Sequence, residues 1–301
     1  MRKTIFLAAA LAFMASACSQ PDEAPEQSGD FGKLRVNVKT SAATKALVET
    51  GTLANGSELG ISILETDGAD YDGFANYRNV KLTASESGNT QIWTPASDVF
   101  LSTTEGILYS YYPYSADVTD IEAVPVETDT QTDYMYGTPI PGLSNRNPAA
   151  DVVMNHALAA VRFNVKRGSF YGTGEVTDLS IKGPAIANAA TMNSITGELS
   201  GFSGQNEKIG PAFDPFTLSA EGEVKDIIII PTGSEDVMSI SMTIDGSKLE
   251  AKASAMDYAE GTITEFTLTV KSKELVIGSV TVTPWGTVNK GSLELEPDLS
   301  K

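Results

Sequence analysis

A period of two runs through this chain and limits what it can fold into. Met238, Ile240, Met242 and Ile244 alternate with Ser239, Ser241 and Thr243, and Asp245-Gly246 then turns the chain toward 249–251. Apolar residues at every second position suit a strand with one buried face, and Asp-Gly suits a tight hairpin turn. Ala157, Ala159, Val161, Phe163 and Val165 repeat the pattern, with Ala160, Arg162, Asn164 and Lys166 on the opposite face. Shorter runs at 60–64, 77–83, 90–95 around Trp93, 122–133, 176–182, 266–270 and 275–282 sit between turn residues, and Ile107, Tyr109 and Tyr111 share a strand face. Four isoleucines at 227–230, ended by Pro231, read as a central strand buried on both faces. Residues 185–202 are ambiguous, and no stretch keeps a helical period for three turns. The fold class is therefore all-β, with a sandwich in each half. The densest cluster of chain breakers, 137–148, marks the expected boundary between domains 46–148 and 149–301.

The first 45 residues have a different character. Residues 1–17 read as a secretory signal, with Arg2 and Lys3 ahead of an apolar run at 5–14 that is too short to span a bilayer. Ala15-Ser16-Ala17 precedes Cys18, the only cysteine in the protein. Cys18 stands where a bacterial lipoprotein is cut and acylated, although Ala15 occupies a position where such signals prefer Leu. The alternative is an ordinary signal cut at the same place, with Cys18 an idle thiol. Residues 19–30 form a polar tether bearing Asp22, Glu23 and Glu26, read either as an export tag or as a solvated spacer. Residues 31–39 then alternate, with Leu34, Val36 and Val38 on one face and Lys33, Arg35, Asn37 and Lys39 on the other. The small-residue stretch that follows has Lys45 in its middle and invites proteolysis before Ala46.

Composition excludes several functions. The formal charge is −18, and it becomes more negative once Arg2 and Lys3 leave with the signal. With no run of Lys and Arg, the chain has nothing to hold nucleic-acid phosphates. One histidine and one cysteine cannot build a His- or Cys-rich zinc site, and no metal or cofactor is expected. His156 reads as a structural, hydrogen-bonded histidine, because no nucleophile-elbow glycine pattern occurs and no catalytic residue is assigned. The Asp-rich pieces at 67–72, 117–120 and 129–133 lack the Ca²⁺-loop pattern and read as solvated turns. The glycines at 168–174 precede a strand and read as a turn. A glycosidase carboxylate pair has no sequence signature that excludes it. Trp93, Tyr109, Tyr111, Tyr112, Tyr114, Tyr134 and Tyr136 suit core positions better than a sugar platform.

Several segments in order carry a family resemblance. They are the lipoprotein-like start, Thr44-Lys45-Ala46 ahead of a strand with Gly60-Ile61, the run from Ile107 to Pro113, Asp133-Tyr-Met-Tyr-Gly137, the run from Met154 to Phe163 with Gly168-Ser-Phe-Tyr-Gly172 after it, and the late Trp285. Together they make the chain similar to the fimbrillins and fimbrillin-like lipoproteins of Bacteroidales, the subunits of type V pili. The resemblance implies two tandem transthyretin-like β-sandwich domains and a lipidated precursor exported to the outer membrane and cell surface. It also implies a trypsin-like cut that removes the first strand, which a strand from the next subunit replaces. Family members are usually cut after Arg, and here the matching residue is Lys45.

The expected function is a fimbrial subunit or adhesin rather than an enzyme, with other pilin subunits as partners. The alternative is a non-polymerising surface lipoprotein that binds a glycan or host protein. Leu34, Val36 and Val38 would be the exchanged face. The tail at 286–301, with Leu293, Leu295 and Leu299 interrupted by Pro297, is either the donor strand or a frayed terminus.

Overall fold

The computed structural model describes residues 32–40, 53–87, 90–234, 236–271 and 274–285. Cys18, Lys45, Ala46, Leu293, Leu295 and Leu299 lie outside them. Among the described residues the chain is all-β, with two short 3-10 turns at Tyr71–Gly73 and Ala75–Tyr77 and no α-helix. Hence no helix there is long and apolar enough to cross a membrane.

The first half supplies β1 (Arg35–Thr40), β2 (Glu58–Glu65), β3 (Val80–Ser87), β4 (Thr90–Pro95), β5 (Gly106–Tyr112), β6 (Val124–Glu127), β7 (Met135–Gly137), β8 (Ile140–Leu143) and β9 (Ala149–His156). All but β6 form one sheet in the order β2-β3-β4-β1-β9-β7-β5-β8. Because β2 also pairs with β5, this sheet closes on itself into a barrel. Its interior is filled by alternate residues of the strands, among them Leu59, Ile61, Ile63, Leu82, Trp93, Leu108, Val152 and Met154. The breaker-rich stretch at 137–148 contains β8, and the strands on both sides of it belong to this same sheet. The chain leaves the sheet only after His156.

The second half supplies β10 (Ala159–Arg167), β11 (Glu175–Lys182), β12 (Ala189–Met192), β13 (Leu199–Ser203), β14 (Phe216–Thr217), β15 (Glu223–Ile229), β16 (Ser239–Ile244), β17 (Ser247–Lys252), β18 (Thr262–Lys271) and β19 (Glu274–Pro284). The sheets β15-β10-β18-β19 and β14-β11-β16-β17 face each other. Val161, Phe163, Phe266 and Leu268 from one meet Leu179, Ile181, Ile240 and Met242 from the other. The hairpin between β16 and β17 turns at Asp245 and Gly246, which take φ values of 45° and 75°. Two successive positive values are what a two-residue turn matching the twist of its strands demands.

A third core joins the halves. Strand β6 from the first half pairs with β12 from the second, and β13 completes a small sheet. Behind it Tyr111, Val126, Leu158, Ala160, Met192, Ile228 and Trp285 are buried together. This junction changes two sequence expectations. The isoleucine run is not in a central strand, because among the described residues β15 pairs with β10 alone and stands at a sheet edge. Its two faces are buried for another reason: Ile227 and Ile229 enter the sandwich core, while Ile228 and Ile230 enter the junction. Likewise Ala157 does not share a face with Ala159. The turn at 157–158 resets the alternation, so Ala157 and Ala160 face the junction core and Ala159 the sandwich core.

Candidate assembly site

Strand β1 is built by the alternation expected of it. Leu34, Val36, Val38 and Thr40 are buried, with exposures of 4%, 7%, 7% and 8%, and Arg35, Asn37 and Lys39 face solvent. It lies between β4 and β9, inside the closed sheet rather than at an edge. On one side it runs parallel to β9 along its whole length, from Arg35 opposite Ala149 to Thr40 opposite Met154. Val36 therefore stacks beside Ala150 and Val38 beside Val152, while on the outer face Asn37 Nδ2 donates to Asp151 Oδ1 at 2.8 Å. On the other side its pairing with β4 is a single residue pair, Val36 opposite Trp93. The approach to the strand is tied down separately. Leu34 N–H donates to the Val99 carbonyl and Leu101 N–H to the Gly32 carbonyl, both at 2.8 Å, and Lys33 Nζ lies 3.0 Å from Asp98 Oδ1.

Burying Leu34, Val36 and Val38 contributes about 1.5–3 kcal/mol each, on the order of 5–9 kcal/mol together. That rivals the whole net stability of an ordinary domain, about 5–15 kcal/mol. Losing β1 would also break the barrel into an open sheet with two unpaired edges, on β4 and β9. A strand in this place cannot be removed without a replacement unless the half-domain is to unravel or pair with something else.

Other residues singled out by sequence lie elsewhere. His156 ends β9 and is buried, with Nδ1 2.8 Å from Asp133 Oδ2. Burial pushes the Asp133 carboxyl up, opposed by its hydrogen bond to His156. Trp285 stacks on the imidazole at 4.4 Å, and His156 Nε2 has no hydrogen-bond partner among the described residues. The imidazole therefore holds Asp133 and Trp285 at the junction, and among the described residues no hydroxyl is paired with it. The acidic turns are used locally: Arg78 holds Asp70, Thr104 Oγ1 donates to Asp72 Oδ1 at 2.7 Å, and Ala69 N–H donates to Asp67 Oδ1 at 3.0 Å. At the glycine-rich turn Arg167 donates to the Phe170, Gly172 and Thr173 carbonyls. Of the aromatics, Trp93 enters the barrel core and Tyr111 the junction core, and they make no shared platform.

Sequence reasoning missed Asn79. It sits at a φ of 49°, its Nδ2 donates to the Ser115 and Val118 carbonyls at 2.9 and 2.8 Å, and its Oδ1 accepts from the Tyr111 hydroxyl at 2.6 Å. Asparagine tolerates the left-handed conformation, which is the one local signal available.

The fimbrillin-like family matches residues 44–285. The chain belongs to the fimbrillin-like family. The matched range begins just before Lys45 and ends at Trp285, so β1 precedes it. Solved structures share the fold of this fimbrillin-like chain. A candidate cell adhesion protein from Bacteroides uniformis superposes with a TM-score of 0.65 at 22% identity, covering 84% of this chain and 99% of that one. A second, from Bacteroides ovatus, has a TM-score of 0.63 at 13% identity and covers 86% and 99%. A third, from Bacteroides fragilis, has a TM-score of 0.56 at 10% identity and covers 87% and 99%. No curated protein matches the chain.

Proposed function

We propose that this fimbrillin-like chain is a fimbrial subunit or surface adhesin that assembles with other pilin subunits by exchanging its first strand. The observation that carries this reading is the place of β1. It is an interior stave of the closed sheet, yet it comes from the segment ahead of the family's matched range. In this reading Cys18 is acylated and holds the precursor at the outer membrane, and a protease cuts between Lys45 and Ala46. The fragment carrying Leu34, Val36 and Val38 then leaves, and two transthyretin-like units remain, with β9 kept in the sheet of the first. A strand from a neighbouring subunit fills the opening between β4 and β9. Such a donor needs apolar side chains at alternate positions to match the buried face of β1. The tail of another copy offers Leu293, Leu295 and Leu299, with Pro297 breaking the ladder between them.

The test is N-terminal sequencing of protein shed from the native cell surface, joined to a mixing assay. A start at Ala46 is expected, with cut protein forming heat-resistant multimers and protein truncated at Trp285 failing to donate. A start at Cys18 would instead favour an anchored lipoprotein that binds a glycan or host protein without polymerising. Equal multimerisation with and without the tail would remove the tail as donor.

A further inference from the structure

The outer face of the β14-β11-β16-β17 sheet carries a trough of about 350 Å³, far from β1 in sequence and independent of assembly. Cross-strand register sets its floor in rows. Asp178 lies opposite Thr243, which lies opposite Lys248; Ser180 lies opposite Ser241, which lies opposite Glu250; Lys182 lies opposite Ser239, which lies opposite Lys252. The middle strand thus presents short hydroxyl side chains flanked, except at Ser180, by charged ones, and that difference in length makes the hollow. Lys208 closes one side, from a segment tied back to β11 where Ile209 bridges to Ile181.

The groups in the trough are unevenly used. Lys208 Nζ lies 2.7 Å from Asp178 Oδ1, and Lys248 Nζ 2.7 Å from Glu250 Oε1. Lys182 makes no salt bridge among the described residues; Lys248 above all, with Lys182 and with Lys252 beside the trough, holds the Glu250 carboxyl below its usual range. The hydroxyls of Ser239, Ser241 and Thr243 make no hydrogen bond with any described residue and remain open to solvent. Three lysines, Lys182, Lys208 and Lys248, against two carboxylates leave the trough net positive on a chain whose formal charge is −18. The whole molecule repels anions, and this face draws them in.

We propose that the trough binds an acidic saccharide, a hydroxyl-bearing ring that carries a carboxylate or a sulfate. The lysines take the anionic group, the serine and threonine hydroxyls both donate and accept, and Asp178 and Glu250 accept from ring hydroxyls. An acidic peptide offers backbone N–H donors but no ring of hydroxyls, and its own closely spaced carboxylates meet Asp178 and Glu250 as repulsion. A neutral sugar gains nothing from the lysines. The site is open and its contacts few, so affinity is expected in the range of about 0.1–10 mM.

The test is isothermal titration of the full chain at low salt. The probes are tetragalacturonate and a heparin-derived tetrasaccharide, with maltotetraose and tetraglutamate as controls. At least one acidic tetrasaccharide should bind, weakening as salt rises, and both controls should bind at least about tenfold more weakly. Ser241→Tyr fills the trough and should lower that affinity at least about tenfold. Lys182→Ala with Lys208→Ala changes only exposed positions that line the trough and should also weaken binding if Ser241→Tyr does not fold. No binding of either acidic probe, equal binding of either control, or affinity unchanged in the folded variants overturns the proposal.

Discussion

The imidazole of His156 lies flat on the indole of Trp285, with ring centroids 4.4 Å apart and planes 9° from parallel. His156 is the last residue of β9, and Trp285 directly follows β19. The stack therefore fastens the end of the second half to the barrel of the first. The backbone N–H of Trp285 adds a bond to the Gly261 carbonyl, and Gly261 N–H donates to the Leu158 carbonyl at 2.9 Å.

Trp285→Ala should cost about 3–5 kcal/mol, the usual loss for a fully buried aromatic. His156→Ala should cost about 1–3 kcal/mol, chiefly because it leaves the buried Asp133 without its partner. Urea unfolding of both single variants and the double variant measures the coupling. A double variant whose loss equals the sum of the singles would mean the stack carries no energy of its own.

Val38→Asp, on the uncut chain, places a carboxylate beside Val152 inside the barrel and should unfold the first half or expel β1. Leu34→Ala is milder and should cost about 2–5 kcal/mol. Limited proteolysis after Lys45 should release the 18–45 fragment from Val38→Asp at lower temperature than from the parent chain. Retention of the fragment to the same temperature would mean that the buried face does not hold β1.

Gly60 on β2 stands opposite Tyr111 on β5, and a methyl group at Gly60 would run into the Tyr111 ring. Gly60→Ala should therefore cost about 1–3 kcal/mol by overpacking. Adding Tyr111→Leu should recover part of that loss. Thermal melts of the three variants decide it, and full additivity would sink the explanation.

Burial pushes the Tyr111 phenol up to about 12 from an ordinary 10.0, against the effect of its hydrogen bonds to Ser115 and Asn79. The folded state thus keeps a proton that the unfolded chain gives up first. Its contribution to stability is complete below pH 10.0 and is lost as pH rises toward about 12. Tyr136 behaves alike, held up by burial and by Glu260. Tyr111→Phe should cost about 1 kcal/mol at neutral pH through its lost hydrogen bonds. Its stability should then fall less steeply than that of the parent chain across the alkaline range. Parallel curves from urea titrations in that range would refute this.

Much of the fold was legible because strand alternation is local. The alternation of β1, β10, β16 and β18, and the Asp245-Gly246 hairpin, needed no knowledge of what lay across the sheet. The misreadings came where burial had a distant source. Four successive isoleucines require two apolar surroundings, but nothing in the run says that the second one is another half of the chain rather than a neighbouring strand. The pairing of β6 with β12 joins segments more than sixty residues apart and leaves no local mark. The serines of β16 read as a plain solvent face, because only the register with β11 and β17 places lysines on both sides of them.

The sequence by itself determined the strand class, the buried face of β1 and the tight turns. Those depend on side-chain period and on the backbone angles that Gly, Asn and Asp tolerate, which are properties of neighbouring residues. Tertiary structure decided that β1 is an interior stave, that a barrel rather than an open sheet encloses the first core, and that His156 meets Trp285. Each of these rests on contacts between residues far apart in the chain. Such contacts are selected by the free energy of the whole packed arrangement, which no single segment encodes.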